Sequence, residues 1–333
     1  MLQDIWARRG PAAIALWPLS RLYAALVKLR KLCFRVRPLR VRRVRVPVVV
    51  VGNVVAGGAG KTPVVIALAR HLLEQGHRVG VISRGHGRRG TGCLEVTRHS
   101  HPGQCGDEPL LIKRKLEVPV FVGRDRADAA HQLLAAHPAT TVIISDDGLQ
   151  HLALGRDIEI CLFDPRGLGN GFMLPAGPLR EPWPKAVDLV LDSASPPGPG
   201  HHGMVRRLAD QLVRADGVTL PLASLEGRPV AAVAAIAHPR NFFDMLRARG
   251  LHLVHAEALP DHHDFQRWAP PALEGVPLVF TEKDATKLWP RYPDGWAAPL
   301  EVVLAPAFLA AFDQLLAARL SLVASRPTQA QDG

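Results

Sequence analysis

The residues best placed to do chemistry lie in one run, VVVVGNVVAGGAGKTP, where an apolar stretch enters a glycine-rich turn and Gly60-Lys61-Thr62 opens an amphipathic stretch. That order suits a polyphosphate. Glycines let backbone N–H groups approach the phosphates, a helix N-terminus favours their charge, a lysine reaches the β and γ groups, and a threonine hydroxyl ligates magnesium. Asn53, Gly57, Gly58, Ala59, Gly60, Lys61, Thr62 and Pro63 are expected to hold ATP, with Thr62 also on magnesium. The strict phosphate-loop pattern has glycine five positions before Gly60, and this chain has Val55, so a turn of different shape is expected.

Carboxylates supply the remaining chemistry. The apolar run TTVIIS stops at Asp146-Asp147, which places two acids at the carboxyl edge of a sheet, where open α/β folds bind ligands. One of them is expected to hold magnesium, directly or through water. On its own, Gly106-Asp107-Glu108-Pro109 reads as a helix start, with Asp107 as cap and Pro109 in the first turn. Asp261-His262-His263-Asp264 suits a metal site, a proton relay or a solvated loop.

The elements that must position these groups alternate. Apolar runs at 47–51, 79–83, 118–122, 141–145, 158–163 and 187–191 read as strands, with helical stretches such as 64–74 and 127–136 between them. This predicts a doubly wound, mostly parallel α/β sheet over 46–195. SASPPGPGHHG at 193–203 reads as a connection between lobes. A smaller α/β domain is expected over 204–305, with strands at 230–237, 251–256, 277–280 and 300–304 and a helix at 239–249. A last helix over 306–325 packs back on the core, and a disordered tail follows Arg326.

The 333 residues carry a net charge of +11, all of it in residues 1–45, which hold twelve basic side chains and one acid, Asp4. A neutral body with 5% aromatic residues argues against nucleic acid as a partner. The uncharged run 10–20 is shorter than the roughly 20 apolar residues a bilayer span needs, and Pro18 is expected to interrupt it. Leu22, Tyr23, Leu26, Val27, Leu29 and Leu32, interleaved with Arg21, Lys28, Arg30 and Lys31, predict an amphipathic helix lying in a membrane surface. Four cysteines without paired spacing fit a reduced, cytosolic setting.

Taken in order, VGNVVAGGAGKTP, SRGHG, GDEP, RDRADA, SDDGLQH, LPAGPLREP, PDHHDF and FTEKDA closely resemble the tetraacyldisaccharide 4′-kinases, the lipid A kinases of Gram-negative bacteria. The resemblance implies transfer of the ATP γ-phosphoryl group to the 4′-hydroxyl of tetraacyldisaccharide 1-phosphate, forming lipid IVA at the cytoplasmic face of the inner membrane. It implies that Asp107 is the base, partnered by a histidine of PDHHDF, His262 before His263. It assigns Lys61 to the phosphates, Thr62, Asp146 and Asp147 to the metal region, Arg180 to the transferring phosphoryl, and Glu108 and Arg126 to supporting positions near the nucleotide. His86 stands where the family commonly has tyrosine. With Asp107 and His262 on different lobes, their pairing is expected only when the lobes approach. A monomer is expected. A regulatory NTPase or a nucleic-acid protein with a basic arm has no use for the Asp107 and His262 pair.

Overall fold

The computed structural model describes residues 2–36, 41–58 and 60–324. Ala59 and the tail after Arg326, for which nucleotide binding and disorder were expected, lie outside the described residues. The chain opens with helices α1 (Leu2–Ala7) and α2 (Pro11–Val36). The core follows as β1 (Val48–Gly52), α3 (Lys61–Glu74), β2 (Val79–Ser83), β3 (Leu94–Glu95), α4 (Pro102–Cys105), α5 (Asp107–Lys115), β4 (Val120–Val122), α6 (Arg126–Ala136), β5 (Val142–Asp146), β6 (Ile158–Phe163), β7 (Leu189–Asp192) and β8 (His202–Leu208). Beyond it come β9 (Gln211–Val213), β10 (Thr219–Pro221), β11 (Pro229–Ala234), α7 (Pro239–Ala248), β12 (His252–Ala258), β13 (Leu278–Thr281), α8 (Glu282–Leu288), β14 (Trp296–Ala298), β15 (Leu300–Leu304) and α9 (Pro306–Ala324).

The large sheet has the order β15-β8-β7-β6-β1-β5-β2-β4-β3, with parallel pairing from β8 through β4 and antiparallel pairing at both edges. Strand β1 sits near its middle and shows why the fold is doubly wound. Its side chains alternate: Val49 and Val51 join one core with Leu68 of α3 and Phe308 and Phe312 of α9, while Val48 and Val50 join another with Leu133 of α6. Both faces are therefore covered, and the apolar VVVV run is accounted for.

The smaller sheet, β10-β9-β14-β13-β11-β12, has its own cores around Phe242 and Leu246 on one face and Phe265 and Phe280 on the other. Two expectations are corrected here. The strand at Leu300–Leu304 pairs antiparallel with β8 and so belongs to the large sheet. The 193–203 stretch does not leave the core either, because β8 returns to pair with β7 at Leu191↔His202 and Asp192↔Gly203. The smaller sheet is entered only beyond Leu208.

Pro18 does not interrupt the amino-terminal helix, which runs unbroken from Pro11 to Val36. A proline removes one backbone hydrogen bond and strains the preceding turn, and the good helix formers on both sides offset that loss. By length and composition this helix can cross a membrane. Its outer stripe of Leu22, Leu26, Leu29 and Val36 is exposed, whereas Ala13 and Ser20 are buried against the body. Ser20 Oγ donates to Met173 O at 2.8 Å and accepts from Ala176 N at 3.0 Å. Tyr23 Oη donates to Arg180 O at 3.2 Å, and Lys31 pairs with Glu181.

Candidate active site

Between β1 and α3 the chain makes its glycine-rich turn. Gly57 (φ 106°) and Gly60 (φ 75°) occupy the left-handed region, which other residues adopt only under strain. Gly60 caps α3 with no side-chain acceptor, so the first N–H groups of that helix are open to an anion. Asn53 lies buried beneath the loop, donating to Val55 O at 2.6 Å and accepting from Lys61 Nζ at 3.4 Å. It thus shapes the loop and aims the lysine.

Val55 has a physical reason for not being glycine. It forms an antiparallel bridge with Leu179, Ala56 N donates to Pro178 O at 2.7 Å, and Arg180 N donates to Val54 O at 2.7 Å. The LPAGPLREP segment is strapped to the phosphate loop by extended pairing, which a β-branched residue favours. The same strap delivers Arg180 to the site.

Asp146 ends β5 and is buried. Its Oδ2 accepts from Thr62 Oγ1 at 3.4 Å, and its Oδ1 is buried with no hydrogen-bond partner among the described residues. Burial, then the charges of Glu108 and Asp147, push this carboxyl up to about 7. An orphaned oxygen on an acid that resists ionisation fits a cation, and Thr62 with Asp146 supplies the hard oxygen donors magnesium prefers. Asp147 (φ 49°) turns the opposite way. Lys61 Nζ stands 3.6 Å from its Oδ1, and Arg180 Nη1 lies 3.3 Å from each oxygen. Burial opposes ionisation of Asp147, but Lys61 and Arg180 outweigh it and hold the carboxyl below its ordinary range. Buried Arg126 donates to Asp147 O at 3.3 Å. The sequence-predicted residues of the two strand ends are therefore brought together.

Asp107 is not a helix cap. Gly106 (φ 94°) occupies the cap position, and a Cβ there would meet Gly85 Cα and His86 O at 3.0 Å. Asp107 is the first residue of α5, buried, with Oδ2 accepting from Lys287 Nζ at 2.7 Å and facing His262 Nδ1 at 3.0 Å. Its Oδ1 makes no hydrogen bond among the described residues. Burial would raise this carboxyl, yet the hydrogen bonds of His262 and Lys287 and the charges of Lys287 and Lys283 hold it below the ordinary range.

His262 is the partner, because His263 turns away to accept the backbone N–H of Phe265 at 3.0 Å. Of the groups in this loop, the His262 ring is engaged with a carboxylate, the contact a proton relay would need. In this structure the lobes are together at this point: α8 packs on α5, and the two groups are in contact. His86 lies against the His262 ring, centroids 5.3 Å apart. Lys283 Nζ stands 3.2 Å from Asp261 Oδ1, 3.4 Å from His262 Nε2 and 3.8 Å from Glu108 Oε1. Neither Lys283 nor Lys287 was singled out from the sequence. The available signal is their i, i+4 spacing in TEKDATK, where Thr281 caps the helix by accepting from Asp284 N at 3.2 Å.

A glycine-rich loop opening a helix, a buried acid with an orphaned oxygen and a buried carboxylate in contact with His262 and Lys287, on a doubly wound fold, define a phosphate-loop phosphotransferase. The family model for tetraacyldisaccharide-1-P 4'-kinase matches residues 12–317. Relatives named tetraacyldisaccharide 4'-kinase include one from Acidovorax sp. (strain JS42), 55% identical and covering 95% of this chain and 94% of its own length. Another, from Delftia acidovorans, is 52% identical and covers 95% of each. The crystal structure of LpxK from Aquifex aeolicus in complex with ATP superposes with a TM-score of 0.79 at 29% identity, covering 91% of this chain and 99% of that one. The chain belongs to the tetraacyldisaccharide-1-P 4'-kinase family.

Proposed function

We propose that this protein transfers the γ-phosphoryl group of ATP to the 4′-hydroxyl of tetraacyldisaccharide 1-phosphate, the reaction that yields lipid IVA, with Asp107 as base. The observation that carries this reading is the contact of Asp107 with both His262 and Lys287 on a single oxygen. Oδ1 remains for the sugar hydroxyl.

In this reading the loop N–H groups and Lys61 hold the phosphates, and Arg180 faces the charge that develops on the transferring group. The 4′-oxygen attacks the γ-phosphorus, its proton passes to Asp107 Oδ1, the bond to the β,γ-bridging oxygen breaks, and ADP leaves. His262 takes up the charge change on Asp107 through Oδ2. A magnesium ion held by Thr62 and Asp146, with Asp147 beside it, would neutralise charge on the β and γ oxygens. Asn53 aims Lys61, Arg126 holds the Asp147 backbone, and Glu108 faces Lys283.

The acceptor carries four acyl chains, so the enzyme works at a membrane surface, on the cytoplasmic side of the inner membrane where ATP is present. The exposed apolar stripe of α2 with its basic residues supports that placement. Thin-layer separation after incubation with labelled ATP, magnesium and the disaccharide acceptor tests the reaction. Label in a bisphosphorylated lipid is the expected result, and label confined to inorganic phosphate contradicts it.

A further inference from the structure

Two helices, one from each lobe, bring the groups together at Asp107, and they are fastened to each other at both ends. At one end Lys287 Nζ donates to Asp107 Oδ2 at 2.7 Å, and Lys283 Nζ stands 3.8 Å from Glu108 Oε1. At the other end Lys115, the last residue of α5, pairs with Glu282, the first residue of α8, at 2.6 Å. Asp107 and Lys115 are the first and last residues of α5, so at a rise of about 1.5 Å per residue the two fastenings lie about 12 Å apart. A single contact would be a pivot on which α8 could swing. A second contact at that distance fixes the angle.

His262 depends on that angle. It lies on a loop and is tied to α8 through Lys287 Nζ, which donates to His262 O at 3.4 Å and to His263 O at 3.2 Å. A swing of α8 would therefore carry the imidazole away from Asp107 Oδ2, which its Nδ1 meets at 3.0 Å. The far pair is suited to prevent this. Its side chains are only 22% and 16% exposed, so removing one partner leaves the other charge poorly compensated. Burial pushes the Glu282 carboxyl up, and the charge and hydrogen bond of Lys115 oppose that. An acid at the start of α8 and a base at the end of α5 also sit where each helix dipole favours them. Among the described residues, neither side chain has a hydrogen bond or ion pair with a group assigned to the reaction.

We propose that Lys115 and Glu282 are positioning residues for the reaction: their ion pair sets the angle of α8 on α5 and so holds His262 and Lys287 on Asp107. This rests on the reading of Asp107 as the base, and one arm of its test does not use the reaction.

The test compares Lys115→Met, Glu282→Gln and the exchange of Lys115→Glu with Glu282→Lys, each in the full chain in detergent with labelled ATP and the acceptor. Each single substitution should lower kcat by about tenfold, as misplacement of a catalytic group does, while ATP affinity stays within about threefold because the glycine loop and Lys61 belong to the core. The exchange restores the pair with each charge at the less favoured end of its helix, so it should recover part of the lost kcat. Normal kcat in both single variants overturns the proposal. So does an exchange no more active than the single variants, or an ATP affinity that falls in step with kcat. If Glu282→Gln fails to fold, Glu282→Asp, which keeps the charge and shortens its reach, gives the same comparison. The second arm places spin labels at Gln132→Cys on α6 and Arg247→Cys on α7, both exposed positions, with Cys33→Ser and Cys93→Ser, and reads the distance between the lobes with ATP present. The distance distribution should broaden in each single variant and narrow again in the exchange, and one equal to the parent's throughout overturns the proposal. If the parent transfers no phosphate to the lipid while the labels respond in this way, the acceptor reading fails and the positioning of α8 stands.

Discussion

Lys287 Nζ lies 2.7 Å from Asp107 Oδ2, a contact between α8 of the smaller lobe and α5 of the core that, with His262, favours the ionised carboxylate against its burial. A base accepts a proton only when ionised. Asp107 is held below its ordinary range, so the proposed base should stay ionised down to low pH and lose activity only as pH falls through that depressed value. Lys287→Met removes a hydrogen bond and a charge that favour ionisation. The acid limb of kcat/KM should then move to higher pH. An unmoved limb would mean that Lys287 has only a packing role.

Asp146 predicts opposite signs for stability and activity. Its carboxyl, pushed up to about 7, opposes folding as pH rises above the ordinary carboxylate range, because the ionised form is disfavoured when buried. Asp146→Asn removes that cost and should raise the melting temperature at pH 8 in the absence of magnesium. The magnesium concentration for half-maximal turnover should rise by about tenfold or more, as loss of a charged oxygen ligand implies. A lower melting temperature, or an unchanged magnesium requirement, would count against Asp146 as a ligand.

The exposed stripe of α2 can be tested without chemistry. Leu22→Glu with Leu29→Glu places two charges on side chains that are 60% and 57% exposed. Folding should be unaffected, and co-sedimentation with vesicles containing anionic lipid should fall by about tenfold or more. Sedimentation equal to the parent protein would refute a membrane role for this face.

Tyr23 and Lys31 on the inner face of α2 make a different prediction. They hold the Arg180-Glu181 segment, so Tyr23→Phe combined with Lys31→Met should lower kcat several-fold even in detergent, where membrane attachment is irrelevant. A variant with normal kcat in detergent would show that α2 only attaches the enzyme.

What the sequence disclosed was local. Strand, turn, Gly60-Lys61-Thr62 and helix lie within a short run, and Asp146-Asp147 follow their own strand, so pattern alone placed them. Asp107 read locally as a cap because its partners lie 155 and 180 residues away. The choice between His262 and His263 depends on the left-handed backbone at His262 (φ 64°), which no periodicity reveals. Lys283 and Lys287 were not singled out for the same reason, since the groups they contact lie far from them in the chain. Leu300–Leu304 was assigned to the wrong sheet because strand partners are chosen at long range, by β8 in this case. Pro18 misled in the opposite direction, since one local rule was overridden by the length of good helix former around it.

The central claim is that Asp107 accepts the proton of the sugar hydroxyl. It is tested most directly by measuring turnover and ATP affinity together for Asp107→Ala, with labelled ATP and the acceptor in detergent micelles. Turnover should fall by about a hundredfold or more while ATP affinity stays within about threefold of the parent. Near-normal turnover in that variant would contradict the account.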